Sequence, residues 1–486
     1  MTINLPTYYI NGKILANPSK GLVVESIAVA DGLVVGINEL PPEGNKIVDL
    51  GGQFVLPGFI DSHLHLTLGS EVEDQIQLSE CKTRHEFISI LNYAIDCHNG
   101  DGWIIATGWS RDLLKKMPDQ SWIPTTDIPI ICYSMDLHTA ICNKSALNNV
   151  DLKVLCNTPG GVLAQDGVVQ EDALFNVLNE VVPQCSEEQC RVQVRRTIKR
   201  LNAAGITMVG TMEECSSFSV LQAIAQETHA IRIRAMCLDS FASFKECPPL
   251  IEDDFFRLTG FKSFADGSLG SRTAKLYDNY ENSSHSGVAT EMSSNLRQWA
   301  AEVASYCYAP VIHAIGDQAV GMSLDALQAM DLSLVPRIEH AQLIHEKDIS
   351  RIRDMWFGVQ PLHQPQDQEI AVALLGDERA ALLHDWRRML DHGARLSFGS
   401  DWPVVPFDPM TTMKIAIQNG LSKAEAIIAS TQDAALSLRS PKAGNLLVGS
   451  FADFIVLDSN PMEDAWAQST PNVRQTYVSG RAVYGE

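Results

Sequence analysis

The stretch Val55-Leu56-Pro57-Gly58-Phe59-Ile60-Asp61-Ser62-His63-Leu64-His65 runs a short apolar segment into two histidines spaced two apart. In a β-strand, residues i and i+2 point to the same face, so both imidazoles can reach one ion. Ile60 and Leu64 are apolar, as a buried strand requires. Taken alone, a His-x-His pair is weak, because two close histidines often do nothing chemical. Its weight comes from what lies further along the chain.

Working outward, the middle of the chain alternates β-branched runs with helix-compatible segments. Candidate strands fall at 59–65, 206–210, 231–238, 260–265, 310–314, 337–340, 357–361 and 395–400, and candidate helices include 294–306, 321–330 and 378–390. Eight strands with helices between them predict a (β/α)8 TIM-type barrel. Runs at 103–106 and 128–133 would also qualify as strands. They lie in the long stretch after the first barrel strand, and 69–200 is read as containing an inserted subdomain over the barrel mouth. Residues 1–57 carry hairpin signals at Asn11-Gly12, Asp31-Gly32 and Gly51-Gly52, and the chain from 441 onward repeats the pattern with Ser479-Gly480. The expected organisation is therefore a composite β-sandwich from 1–57 plus 441–486, with the barrel in 58–440.

Three further strand ends carry ligand-type residues. His313 ends an apolar run just before Ala314-Ile315-Gly316, His340 follows Arg337-Ile338-Glu339, and Asp401 follows Ser397-Phe398-Gly399-Ser400. Barrel enzymes assemble their sites at the C-terminal ends of the strands, and imidazole with carboxylate suits Zn²⁺ and similar ions. Any one of these histidines could be a hydrogen-bonded core residue. That bland reading does not explain why strand ends one, five, six and eight all carry ligand types. Lys262, inside Gly260-Phe261-Lys262-Ser263-Phe264, is costly to bury unless paired or modified. It reads either as an ion pair, with Asp266 or another acid as partner, or as a lysine carbamylated by CO2 into a carboxylate able to bridge two metals.

Composition narrows the rest. The chain has 486 residues, 45% apolar and 20% charged, so a large packed core is expected and long disorder is not. Fifty-nine acidic against 37 basic residues give a net charge of −22, which disfavours nucleic-acid phosphates and anionic membranes as partners. No apolar run reaches the ~18 residues of a membrane helix, and the start shows no secretory signal. The 11 cysteines are scattered and odd in number, without a close Cys-x-x-Cys pair. They read as reduced thiols in a cytoplasmic protein.

The combination resembles the amidohydrolase superfamily, specifically its YtcJ-like branch of metal-dependent amidohydrolases. The likeness rests on Leu56-Pro57-Gly58-Phe59 through His65, on Phe264-Ala265-Asp266-Gly267-Ser268-Leu269-Gly270-Ser271-Arg272, and on His313 to Asp317. Glu339-His340-Ala341, Ser400-Asp401-Trp402-Pro403 and Gly449-Ser450-Phe451-Ala452-Asp453 belong to it too. It implies a barrel with a β-sandwich built from both termini, with His63, His65, His313, His340 and Asp401 as metal ligands. Lys262 falls where many members carry a carbamylated bridging lysine, and one or two ions, most simply Zn²⁺, are implied. Many such barrels are homodimers.

The implied chemistry is hydrolysis of an amide-type C–N bond in a small molecule by metal-activated hydroxide, with Asp401 as general base and then acid. His138 resembles a family segment and reads as a substrate or oxyanion contact, or as a structural hydrogen bond. Trp109 reads as a pocket wall or as packing, and Glu171 as a residue near the metal or a helix cap. Arg272 reads as a holder of an anionic substrate group or as a partner of Asp266. Gln360 and His363 face the same mouth and are read as substrate-binding, whereas Asp61 and Asp317 read as supporting acids. A heterocycle deaminase of the same superfamily and a non-catalytic scaffold are the alternatives. The first lacks an acid three residues after His313, and the second would tend to have lost some ligands.

Overall fold

The computed structural model describes residues 5–100, 102–164, 166–183, 185–238, 252–463, 466 and 470–485. Its centre is a sheet of eight strands. They are β1 (Phe59–Leu64), β2 (Ile206–Glu213), β3 (Arg232–Leu238), β4 (Phe256–Phe264), β5 (Ala309–Ala314), β6 (Arg337–His340), β7 (Trp356–Val359) and β8 (Arg395–Phe398). Each strand pairs in parallel with the next in sequence, from β1 to β8. Nearly every position in these strands is buried, and their Val/Ile/Phe-rich runs fit a sheet covered on both faces. The fold is the (β/α)8 barrel.

Closure happens at the site. Just past the strand ends, Asp401 N donates to His63 O at 2.7 Å and His65 N donates to Trp402 O at 2.9 Å. Asp61 braces the joint, its Oδ1 accepting from Ser400 N at 3.0 Å and from His63 N at 3.2 Å. A Cβ on Gly399 would lie 2.6 Å from the His63 Cβ, so the close approach of β8 to β1 requires glycine there. The residues that close the barrel thus also bring Asp401 to His63.

Both chain ends share one further sheet. Phe54–Pro57 pairs antiparallel with Phe454–Leu457, which continues to Val473–Val478 and Arg481–Tyr484, while Lys13–Asn17 and Leu22–Val24 extend the other side. A four-stranded N-terminal sheet stacks on it around Tyr9, Ile14, Val34, Phe454 and Tyr477. After β1, Ile76–Gln77, Ile104–Trp109, Ile130–Ser134, Thr139–Cys142, Val168–Glu171 and Gly161–Leu163 form their own six-stranded sheet. The runs at 103–106 and 128–133 belong to this insertion and not to the barrel.

The expected helix 378–390 is instead the last turn of Gln364–Ala380, a segment broken at Gly376 (φ 75°, ψ 167°), and the start of a separate helix (Trp386–Asp391). His384 between them takes a left-handed φ of 56°, which a continuous helix cannot contain. Cys81, Cys132 and Cys142 are free and buried as small hydrophobes, but Cys215 is disulfide-bonded, against the expectation of reduced thiols throughout. Among the described residues no helix is long and apolar enough to cross a membrane.

Candidate metal centre

The strand ends converge as their residue types suggest. Asp401 Oδ1 lies 3.2 Å from His63 Nε2 and 3.3 Å from His65 Nε2, and Oδ2 lies 3.9 Å from His363 Nε2. The donor atoms of His63, His65 and Asp401 all lie within 4.8 Å of one another, as do those of His340, His363 and Asp401. Asp401 is therefore common to two triads. It sits at φ 59°, and His340 at φ 71°, backbone conformations uncommon for residues with a Cβ.

Hydrogen bonds select which ring nitrogen faces inward. His63 Nδ1 is 2.6 Å from Glu339 Oε2, and His340 Nδ1 is 2.9 Å from Gln360 Oε1, which leaves Nε2 of each for an ion. His313 is turned the other way: its Nε2 donates to Gly267 O at 3.1 Å, so Nδ1 is the free nitrogen. Burial and neighbouring cationic groups hold His313 and His340 well below the usual imidazole range. Burial opposes ionisation of Asp401, but His63, His65 and His340 hold it well below the usual carboxylate range. Against burial and the Lys262 charge, Glu339 and Asp401 raise His63, and imidazoles around a carboxylate are a donor set for a divalent cation. Among the described residues the buried Nε2 atoms of His63 and His363 have no hydrogen-bond partner, an arrangement that a bound ion would satisfy.

Lys262 is 1% exposed on β4, and burial, against the pull of Glu339 and Asp401, lowers its amine to about 8. It does not pair with Asp266. The Asp266 oxygens accept instead from the backbone N–H groups of Ile315, Gly316 and Lys275 at 2.7–3.0 Å. Lys262 and His313 both stand outside the two tight triads.

Above the centre is a cavity of about 420 Å³ whose lining includes His313, His340, His363, Asp401, Trp109 and His138. His138 Nδ1 is 2.9 Å from Glu171 Oε2. Burial alone would push His138 down, but Glu171, Asp136 and Asp401 push it up to about 9. Glu171 thus serves His138 and does not cap a helix. It is packed so closely against Gly267 that a Cβ there would lie 2.3 Å from Glu171 Oε1. Trp109 does both things expected of it, lining the cavity while its Nε1 donates to Cys132 O at 2.8 Å.

Three of the residues expected to bind substrate do not line the cavity, Glu171 being the one held at His138. Gln360 is spent on His340 and does not line the cavity, and Arg272 stands outside the lining although Ser268 to Ser271 form part of it. Glu339 went unremarked in the sequence, and so did Asp136, which accepts from Ser268 Oγ at 2.6 Å and Ser271 Oγ at 2.8 Å and so ties the insertion to the loop after β4. An acid next to a ligand-type His was the only available signal for Glu339.

A parallel barrel whose strand ends present His-x-His, two more histidines and an aspartate is the arrangement of a metal-dependent hydrolase. The chain belongs to the Amidohydrolase family, which it matches over residues 46–484. It is 27% identical to Protein LONG AFTER FAR-RED 3 of Arabidopsis thaliana (98% of this chain, 91% of that one) and 25% identical to the YtcJ protein of Bacillus subtilis (97% and 98%). It is also 23% identical to the N-substituted formamide deformylase of Arthrobacter pascens, over 90% of each chain. Among solved structures, an uncharacterized metal-dependent hydrolase from Pyrococcus horikoshii superposes with a TM-score of 0.76 at 25% identity, covering 95% of this chain and 99% of that one.

Proposed function

We propose that this protein hydrolyses an amide-type C–N bond of a small molecule, with Asp401 moving the proton. The observation that carries this reading is the position of Asp401, whose carboxylate faces His63 and His65 on one side and His363 on the other, at the floor of the cavity. His63, His65, His313, His340 and Asp401 would hold one or two divalent ions, Zn²⁺ being the simplest choice for such ligands. A bound ion would supply Lewis acidity to water and to the substrate carbonyl. Asp401 accepts the proton of the attacking water and delivers it to the leaving nitrogen. Protonated His138, held by Glu171, donates from Nε2 to the carbonyl oxygen as negative charge develops there. Lys262, with its amine lowered to about 8, has a neutral fraction at neutral pH that can attack CO2 and become a carbamate ligand.

The test is a screen of N-acyl amines and N-substituted formamides with metal-loaded protein, following amine release, alongside nucleobases, following ammonia. Amine release that is lost in Asp401→Asn supports the assignment. Ammonia release from heterocycles would make the protein a deaminase, and no turnover at any metal loading would leave a scaffold.

A further inference from the structure

The wall of the cavity that continues past His340 and His363 carries polar groups for which the hydrolytic steps have no use. Gln342 lies two residues beyond His340, and Asp367 lies four residues beyond His363, one helical turn along Gln364–Ala380. Both line the cavity. Asp367 Oδ2 is committed, accepting from Gln342 Nε2 at 2.9 Å and lying 2.8 Å from His384 Nε2. Asp367 Oδ1 takes no hydrogen bond among the described residues. Gln342 is only 4% exposed, yet its buried Oε1 has no partner among the described residues. The amide cannot turn to hide that oxygen, because its Nε2 is held by Asp367.

A buried carbonyl oxygen without a donor is costly, and native structures keep few of them. Here it stands beside a carboxylate with one open oxygen, so the pair is built to accept hydrogen bonds and to meet positive charge. Asp166 and Glu369 lie on the same lining, as do Arg111 and His138, so the acceptor character of this wall rests on Asp367 and Gln342 themselves. Leu269 and Ile315 belong to one apolar cluster, Ile370 packs against it, and all three reach the cavity. An acceptor pair next to an aliphatic wall matches a ligand with an N–H-bearing cation at the end of a carbon skeleton.

We propose that Asp367 and Gln342 form a subsite for an organic cation, a primary ammonium or a guanidinium, at one end of an amide substrate whose carbon skeleton lies on Leu269, Ile315 and Ile370. The amide part of that substrate rests on the hydrolase reading above. The cation subsite stands on Asp367 and Gln342 and is tested by binding alone.

Calorimetry on the metal-loaded full chain at neutral pH, with benzylamine and benzyl alcohol as probes, tests it. The ammonium should bind about tenfold tighter than the alcohol, as hydrogen bonds to a charged partner require. Asp367→Asn should weaken benzylamine about tenfold and leave benzyl alcohol within about twofold. Asp367 also holds His384, so Gln342→Leu, which keeps the carboxylate, is the second variant, with a smaller loss for benzylamine alone. Equal binding of the two probes to the unaltered protein, or undiminished selectivity in both variants, overturns the subsite. A matched pair of amides with and without a terminal ammonium separates the two readings. If neither is hydrolysed while benzylamine binds as stated, the hydrolase reading fails and the subsite stands. Hydrolysis of both at equal kcat/KM without binding selectivity has the opposite meaning.

Discussion

Glu339 Oε2 lies 2.6 Å from His63 Nδ1, while Arg337 Nη2 lies 2.6 Å from the other carboxylate oxygen. Burial would raise Glu339, but Arg337, His63 and Lys262 together hold it at about 2. It is therefore a carboxylate at any working pH, and it fixes both the orientation of His63 and the proton on Nδ1. Arg337 in turn reaches Ser437 Oγ at 3.2 Å and the Ser62 carbonyl at 3.3 Å, which anchors the chain of contacts inside the barrel.

Glu339→Gln should therefore lower metal affinity without removing a ligand. Groups that orient a metal-binding imidazole are typically worth about 10–100-fold in affinity. Competition against a chelator gives the number, with thermal unfolding as the control for folding. Unchanged affinity would mean that His63 is not a ligand.

His138 should impose an alkaline limit on activity. Its pKa is raised from 6.5 to about 9 in the folded protein because the pull of Glu171, Asp136 and Asp401 exceeds the burial cost. A raised pKa means that the folded state binds the proton more tightly than the unfolded chain. The associated stability is complete below about 6.5 and is lost as pH rises through about 9. Activity should fall over that upper range, and Glu171→Gln should move the fall toward neutral pH. His138→Ala should cost about 10²–10³ in kcat, the range for loss of an oxyanion donor. A pH profile that Glu171→Gln leaves in place would remove His138 from the chemistry.

Lys262 makes a prediction about CO2. Its neutral fraction grows as pH rises through about 8, so metal loading with bicarbonate should improve over that interval. Lys262→Ala should lose metal that Lys262→Glu retains, since a glutamate supplies a carboxylate without CO2. Elemental analysis per chain decides it. Equal metal content in all three proteins, with or without bicarbonate, would leave Lys262 a buried amine near the site.

The parts of this molecule that were readable in the sequence are those where one residue type implies one job. A buried strand is a run of apolar residues, and an imidazole at its end has few reasons to be there, so His63, His65, His313 and His340 could be placed before the structure. Residues whose work depends on a partner from another segment were not readable. Glu339 matters because β1 brings His63 to it, and Gln342 matters because helix Gln364–Ala380 returns Asp367 to the same wall. Arg272 and Gln360 stand off the cavity lining for the same reason. Their position in the chain placed them near the mouth, but backbone turn and hydrogen bonding decided where the side chains went.

The closing Gly449-to-Asp453 stretch, part of the family resemblance, has a structural job far from the metal. Asp453 receives Arg232 Nε at 2.6 Å and Nη2 at 3.0 Å, and both side chains are almost wholly buried. Arg232 opens β3 at the end of the barrel opposite the ligands, with its guanidinium 3.6 Å from the Phe451 ring centroid. Asp453 Oδ1 also accepts from Ser479 N at 2.8 Å, so one carboxylate joins the barrel floor to the C-terminal strands. Breaking a buried pair from one side leaves a charge without its partner, which typically costs about 3–5 kcal/mol. Asp453→Asn should lose stability on that scale in denaturant unfolding while the folded fraction keeps its full metal content. Replacing both partners by apolar residues should recover much of the loss, because two desolvated charges are removed together. If Asp453→Asn instead loses metal at unchanged stability, the far end of the barrel communicates with the ligands, and β3 is the element through which it would have to do so.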